Sequence, residues 1–285
     1  GPLFNSSTYY NQDYIGDNTT HYYSSFNSGD TGYRQLKEIV DEYHLDIIYG
    51  KKRLYDEIHP DKWVDVDVVL VSIERIKKDL VDRFKYRLWE KFRFQSEIYH
   101  DWDCEQYIRI AVPFNRIVKA ICSEQEDITA FAHEYMGVPC CLNLLSIGSK
   151  TDNDCLNNQP DVFTSGGGKL KTYFYAHEVS TARSIVERIP GHDYTFYNLM
   201  DRDLKSGKSL ESRFGEQKHN YRNELIKLAV HFDGVIAVGD LVEKEYLYLV
   251  GDNKYQKKSD DGQRKSTRLA FPDSVEDELS SINVA

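Results

Sequence analysis

Apolar positions along the chain change their spacing several times, and each change marks an element. Leu36, Ile39, Val40 and Tyr43 recur at helical spacing, which predicts an amphipathic helix over 33–44. Residues 45–49 form a short apolar run closed by Gly50, which predicts a strand. A polar connection, 51–63, follows. Residues 64–71 read VDVDVVLV, and this alternation of β-branched and polar residues predicts a second strand. A long charged helix is expected from Ile73 to about Phe94. Beyond it the pattern predicts a strand over 107–114 and a helix over 116–135 that Gly137 ends. A buried strand over 140–147 completes this half.

Residues 148–168 are dense in Gly, Asn, Asp and Ser and lack a period, which reads as a loop or hinge. After it come expected strands at 170–177, 194–200, 234–238 and 245–250, with helices at 181–189 and 211–232. The segment 253–268 is basic and polar and reads as a loop. Strands alternating with helices predict an α/β fold, with a mixed sheet carrying helices on its faces. The organisation expected is an arm (1–32), an N-terminal α/β half (33–148), a hinge (149–168) and a C-terminal α/β half (169–285).

The arm changes the picture of partners. It is rich in Tyr, Asn and Ser and poor in aliphatics. Ordering a residue costs about 1–2 kcal/mol, and so little aliphatic surface does not offset that. The tyrosines can bury large rings, so the arm is expected to lie on the body or on a neighbouring subunit. Self-association through 1–32 is the partner expectation that follows.

The chain has 285 residues, of which 40% are hydrophobic and 29% charged, which fits a globular protein. Its formal net charge of -10 disfavours nucleic acid, because an acidic surface repels a phosphate backbone. It contains no apolar run long enough to span a membrane. The five cysteines are irregularly spaced and include no Cys-x-x-Cys pair, which points to free thiols in a reducing, cytoplasmic compartment.

Candidate chemistry concentrates in 33–94. Asp65 and Asp67 are two residues apart on an expected strand, so they share a face. Two carboxylates on one face repel unless a cation sits between them. Mg²⁺ suits such a pair, taking one or two carboxylates together with substrate phosphates. Gly50 would let backbone amides approach those phosphates, and Lys51 beside it offers a charge.

A strand closing at Gly50, a polar turn, then Asp65-Val66-Asp67 on the next strand resembles the polymerase-β-like nucleotidyltransferase superfamily. Lys51 stands where that family has Ser or Gly. The resemblance implies a metal-dependent nucleotidyltransferase or other nucleotide-handling enzyme. Asp65 and Asp67 would hold Mg²⁺, Gly50 and Lys51 would contact the nucleotide substrate, and Asp103 and Glu105, just before the next expected strand, are the nearest candidates for the third acid, with Glu105 taken for it.

Other readings stand beside it. One is a non-enzymatic structural protein, such as a viral or assembly component, that uses the arm. In a second, the C-terminal half resembles TIR domains and nucleoside deoxyribosyltransferases. There the turn Asp201-Arg202-Asp203 with Gly207 would match a loop of that family, and Glu243 or Glu245 would stand for its acid. Sugar-nucleotide transferases also use Asp-x-Asp after an apolar strand, although few patterned residues precede Asp65. Cys140 or Cys141 with His231 has the residue types of a Cys–His hydrolase.

Overall fold

The structure is a computed structural model. It describes residues 22–24, 31–56, 58–59, 61–122, 127–146, 169–177, 179, 190–216 and 218–251. Most of the arm, the expected hinge, the helix expected at 181–189 and the basic segment 253–268 lie outside these residues. The protein is mixed α/β, and the described residues form two three-stranded sheets, one antiparallel and one parallel. The chain divides into two compact units, and residues Ile128–Cys141 group with the C-terminal unit rather than the N-terminal one.

The first unit is built on β1 (Tyr22–Ser24), β2 (Asp46–Tyr55) and β3 (Trp63–Ser72), in the order β1-β2-β3. Three residues of the expected arm, β1, thus pair with β2 through Tyr23 opposite Lys51. The hairpin β2–β3 turns through Asp56, whose carboxylate accepts from the amides of Ile58 (2.8 Å) and His59 (3.1 Å). Short polar side chains cap turns in this way because they replace backbone partners locally. Helix α1 (Thr31–Tyr43) buries Leu36, Ile39 and Tyr43 on one face.

Helix α2 (Lys78–Phe92) buries Leu80, Val81, Phe84 and Leu88 at helical spacing. It ends at Arg93, left-handed at φ 61°, with Phe94 N–H donating to Leu88 O at 3.3 Å. That closure usually takes glycine. Helices α3 (Trp102–Ala111) and α4 (Phe114–Ile121) follow, with Asp101 capping α3 by accepting from Cys104 N–H at 3.0 Å.

The second unit carries β4 (Ile128–His133), β5 (Leu170–Ala176) and β6 (Gly234–Ala237), all parallel and in that order. Helix α5 (Glu134–Ser146) begins directly where β4 ends and runs on into the first unit from Leu142. Between β5 and β6 lie α6 (His192–Lys205), α7 (Leu210–Phe214) and α8 (Tyr221–Leu228); α9 (Asp240–Val250) follows β6. One sheet face is core. Ala132, Phe174 and Ala176 are fully buried, and Phe174 meets Tyr246 of α9 with ring centroids 5.9 Å apart. Phe196 of α6 packs edge-on to Tyr248 of α9 at 6.1 Å.

Several expected strands are helices. Residues 107–114 fall in α3, a turn and the start of α4; the described part of 140–147, residues 140–146, falls in α5; 194–200 fall in α6 and 245–250 in α9. The expected helix over 116–135 is α4, then β4, then the start of α5, and 211–232 contains α7, α8 and a short 3₁₀ turn, Ala229–His231. The connection expected at 51–63 is in part strand, since β2 runs on to Tyr55 and β3 begins at Trp63.

Candidate active site at the carboxyl ends of the parallel strands

The residues that carry the nucleotidyltransferase resemblance lie in the first unit. Gly50 does not close a strand. It is buried in mid-ladder opposite Val68. The ladder continues past it, with Lys51 opposite Asp67 and Arg53 opposite Asp65 in the backbone register. Gly50 and Lys51 are therefore sheet positions, not a phosphate-cradling turn.

Asp65 and Asp67 do share a face by strand period, with Asp65 half-buried and Asp67 exposed. Asp67 is also hydrogen-bonded to the Tyr49 hydroxyl. Burial and the neighbouring Asp67 charge hold the Tyr49 pKa above its ordinary value.

Glu105 is on helix α3, not on a strand. It accepts from Lys85 Nζ at 2.7 Å and Arg109 Nε at 2.8 Å. Burial pushes its carboxyl pKa up, but these two cations outweigh burial and hold it below the ordinary range. Among the described residues no three His, Cys, Asp or Glu side chains gather so as to hold a metal ion. The donor set implied by the nucleotidyltransferase resemblance is thus two acids without the third.

The parallel sheet presents a different cluster. In open parallel α/β sheets, ligands bind beyond the carboxyl ends of the strands. Here β4 ends at His133, and the next residue, Glu134, has φ 56°. A side chain other than glycine pays for left-handed backbone. Glu134 is nonetheless buried, at 6% exposure, and its Oε1 accepts from the backbone N–H of His177, just past the end of β5. The carboxylate ties the ends of two neighbouring strands together.

On the sheet's other face the rings of His133 and Tyr175 stack at 5.6 Å, and those of His133 and His177 lie 6.4 Å apart. Phe131 and Tyr173 continue the stripe at 5.7 Å, Phe131 being exposed. Tyr135, next to Glu134, meets the guanidinium of Arg222 at 5.4 Å from its ring centroid.

No protein-family model matches the chain, and no curated protein does.

The remaining polar groups of this unit hold helices together. Asp203, a member of the Asp-Arg-Asp turn, is buried on α6. It accepts from Arg213 Nε at 2.8 Å, from Arg213 Nη2 and from the Tyr248 hydroxyl at 2.8 Å. Arg213 holds the Asp203 pKa below the ordinary carboxylate value. Glu245 is buried and accepts from Tyr197 Oη at 2.6 Å. Burial raises the Cys141 thiol pKa to about 12 and pushes Cys140 up as well, which keeps both from being thiolate nucleophiles.

His133 and Glu134 escaped the sequence reading because β4 was absorbed into an expected helix, and His177, at the end of an expected strand, had no partner in sequence to mark it. The alternation Ile128, Ala130, Ala132 before them, and Gly137 shortly after, were the available signals.

Proposed function

We propose that the protein is a nucleotide-handling transferase whose ligand sits at the carboxyl ends of β4, β5 and β6, with transfer from a nucleotide-activated donor such as a nucleotide sugar as its reaction class. The observation that carries this is Glu134, buried in a costly backbone conformation and bonded to the end of the neighbouring strand. Strain of this kind persists where the surroundings over-determine it, and it clusters at functional sites. The clamp fixes the start of α5 and leaves His133 and His177 at the rim.

An imidazole can accept a proton from an attacking hydroxyl through one ring nitrogen or donate a hydrogen bond to a leaving phosphate. The exposed Phe131 and His133 rings of the stripe give a base or a sugar face a flat surface to lie on.

Saturation-transfer NMR with uridine, adenosine and guanosine diphosphates and their sugar conjugates tests this. One class is expected to bind, and His133→Ala with His177→Ala to abolish its signal. Binding that survives both substitutions and is lost in Asp65→Asn/Asp67→Asn would move the site to the antiparallel sheet. Absence of binding by all of them would overturn the reading.

A further inference from the structure

We propose that Arg222 is the phosphate-holding residue of this site and that its ligand group is a diphosphate; the assignment rests on the nucleotide reading above. Arg222 lies in the first turn of α8, with its guanidinium 5.4 Å from the Tyr135 ring centroid and 5.7 Å from that of Tyr221. The two rings meet edge-on at 6.2 Å, so the cation rests in an aromatic corner. Arg222 Nε donates to the Tyr221 hydroxyl at 3.3 Å, which sets the plane of the fork.

A guanidinium held by aromatic rings is oriented before any ligand arrives, and its planar donors match phosphate oxygens bidentately. Placement makes this corner part of the candidate site. Tyr135 directly follows Glu134, whose carboxylate holds the His177 amide. The ring that the cation faces is thus carried by the residue next to the strained clamp.

The position is also an unusual one for a cation. The start of a helix carries partial positive charge and favours acids. Asn220 Oδ1 already accepts from the amides of Arg222 (3.1 Å) and Asn223 (3.3 Å). The guanidinium, not the helix amides, is then the binding element. The first turn of α8 already carries an acid, Glu224, and an anion at the aromatic corner would meet the guanidinium beside it.

The probe is inorganic pyrophosphate, titrated calorimetrically onto the wild-type chain and onto Arg222→Gln, Arg222→Lys and Tyr135→Leu. Pyrophosphate is expected to bind the wild type and to weaken about tenfold or more in R222Q, since a charged hydrogen-bonding group is lost. R222K, which keeps the charge and loses the fork, and Y135L, which keeps the fork and loses its support, should fall between. The Tyr135 ring resonances should shift on titration.

Equal affinity in R222Q and wild type overturns the assignment, as does equal competition by sulfate at matched ionic strength. The two readings fail separately. If nucleoside diphosphates bind but R222Q binds them as well as wild type does, the phosphate assignment falls and the proposed function stands. If pyrophosphate binds through Arg222 while no nucleoside diphosphate binds, the anion site stands and the nucleotide reading falls.

Discussion

Gly137 lies so close to Ala132 that a Cβ built on it would stand 2.8 Å from the Ala132 Cα and 3.1 Å from its carbonyl carbon. The strand β4 and the helix that follows it approach at this point without an intervening loop. Backbone cannot retreat as a flexible side chain can, so α5 sits where it does only because residue 137 has no side chain. The approach places Glu134 against the end of β5.

Gly137→Ala therefore has a predicted sign opposite to propensity. Helix propensity alone would stabilise the protein by about 1 kcal/mol. Overpacking against backbone costs about 1–3 kcal/mol or more, and we expect net destabilisation with loss of the site's geometry. Urea unfolding of G137A against wild type measures it, and a gain in stability would show that α5 can move away from β4.

Asp203 supplies a pH dependence. Its folded pKa is depressed, first by the hydrogen bond from Arg213, against an unfolded value near 3.9. The stabilisation is thus present above about pH 4 and is lost as pH falls through the folded value. Asp203→Asn leaves a buried tyrosine hydroxyl and a half-buried guanidinium without their carboxylate, and should cost about 3 kcal/mol at neutral pH. Thermal melts from pH 3 to 7 should show the gap between variant and wild type closing at the acid end. A constant gap would mean that the carboxylate charge contributes nothing.

The thiols give a reactivity map. Burial raises Cys104 and Cys141 to about 12 and raises Cys140 too. Since the thiolate is the reactive form, iodoacetamide at pH 8 should leave these three unlabelled in the native protein and label them after denaturation. Cys122, half-buried, should react first among the four cysteines described. Peptide mass spectrometry reads each site, and early labelling of Cys140 or Cys141 would restore a Cys–His reading.

What was legible in the sequence follows the physics of periodicity. Helix α1 was visible because Leu36, Ile39 and Tyr43 face the core while Arg34, Gln35, Lys37 and Glu38 face water. Strand β3 was visible because VDVDVVLV alternates. The apolar runs YIRIAVPF, CCLNLLS and EYLYLV were read as strands and are helical, because a helix buried on most sides loses its stripe and looks like a buried strand.

That confusion set Glu105 just ahead of an expected strand, as a third acid, whereas it lies within a helix. Gly50 misled for a related reason, since a glycine inside a ladder looks like a stop. The candidate site was illegible because it depends on Glu134 reaching the amide of His177, a contact between residues far apart in sequence.

The last prediction separates the two costs at Glu134, its backbone and its carboxylate. Glu134→Gln keeps an oxygen that can accept from the His177 N–H, so it should lose only about 1 kcal/mol. Glu134→Ala removes the acceptor, leaves the amide to find another partner and keeps the left-handed strain, so it should lose about 2–3 kcal/mol. Glu134→Gly removes the same carboxylate but relieves the strain, which is worth roughly 1–2 kcal/mol. Glycine, the smaller residue with the more flexible unfolded chain, should therefore be more stable here than alanine. At an ordinary helical position the order would be the reverse. Chemical unfolding of the three variants gives the order directly. If E134A proves more stable than E134G, residue 134 does not hold left-handed backbone in solution, and the strain argument for placing the site at the end of β4 fails with it.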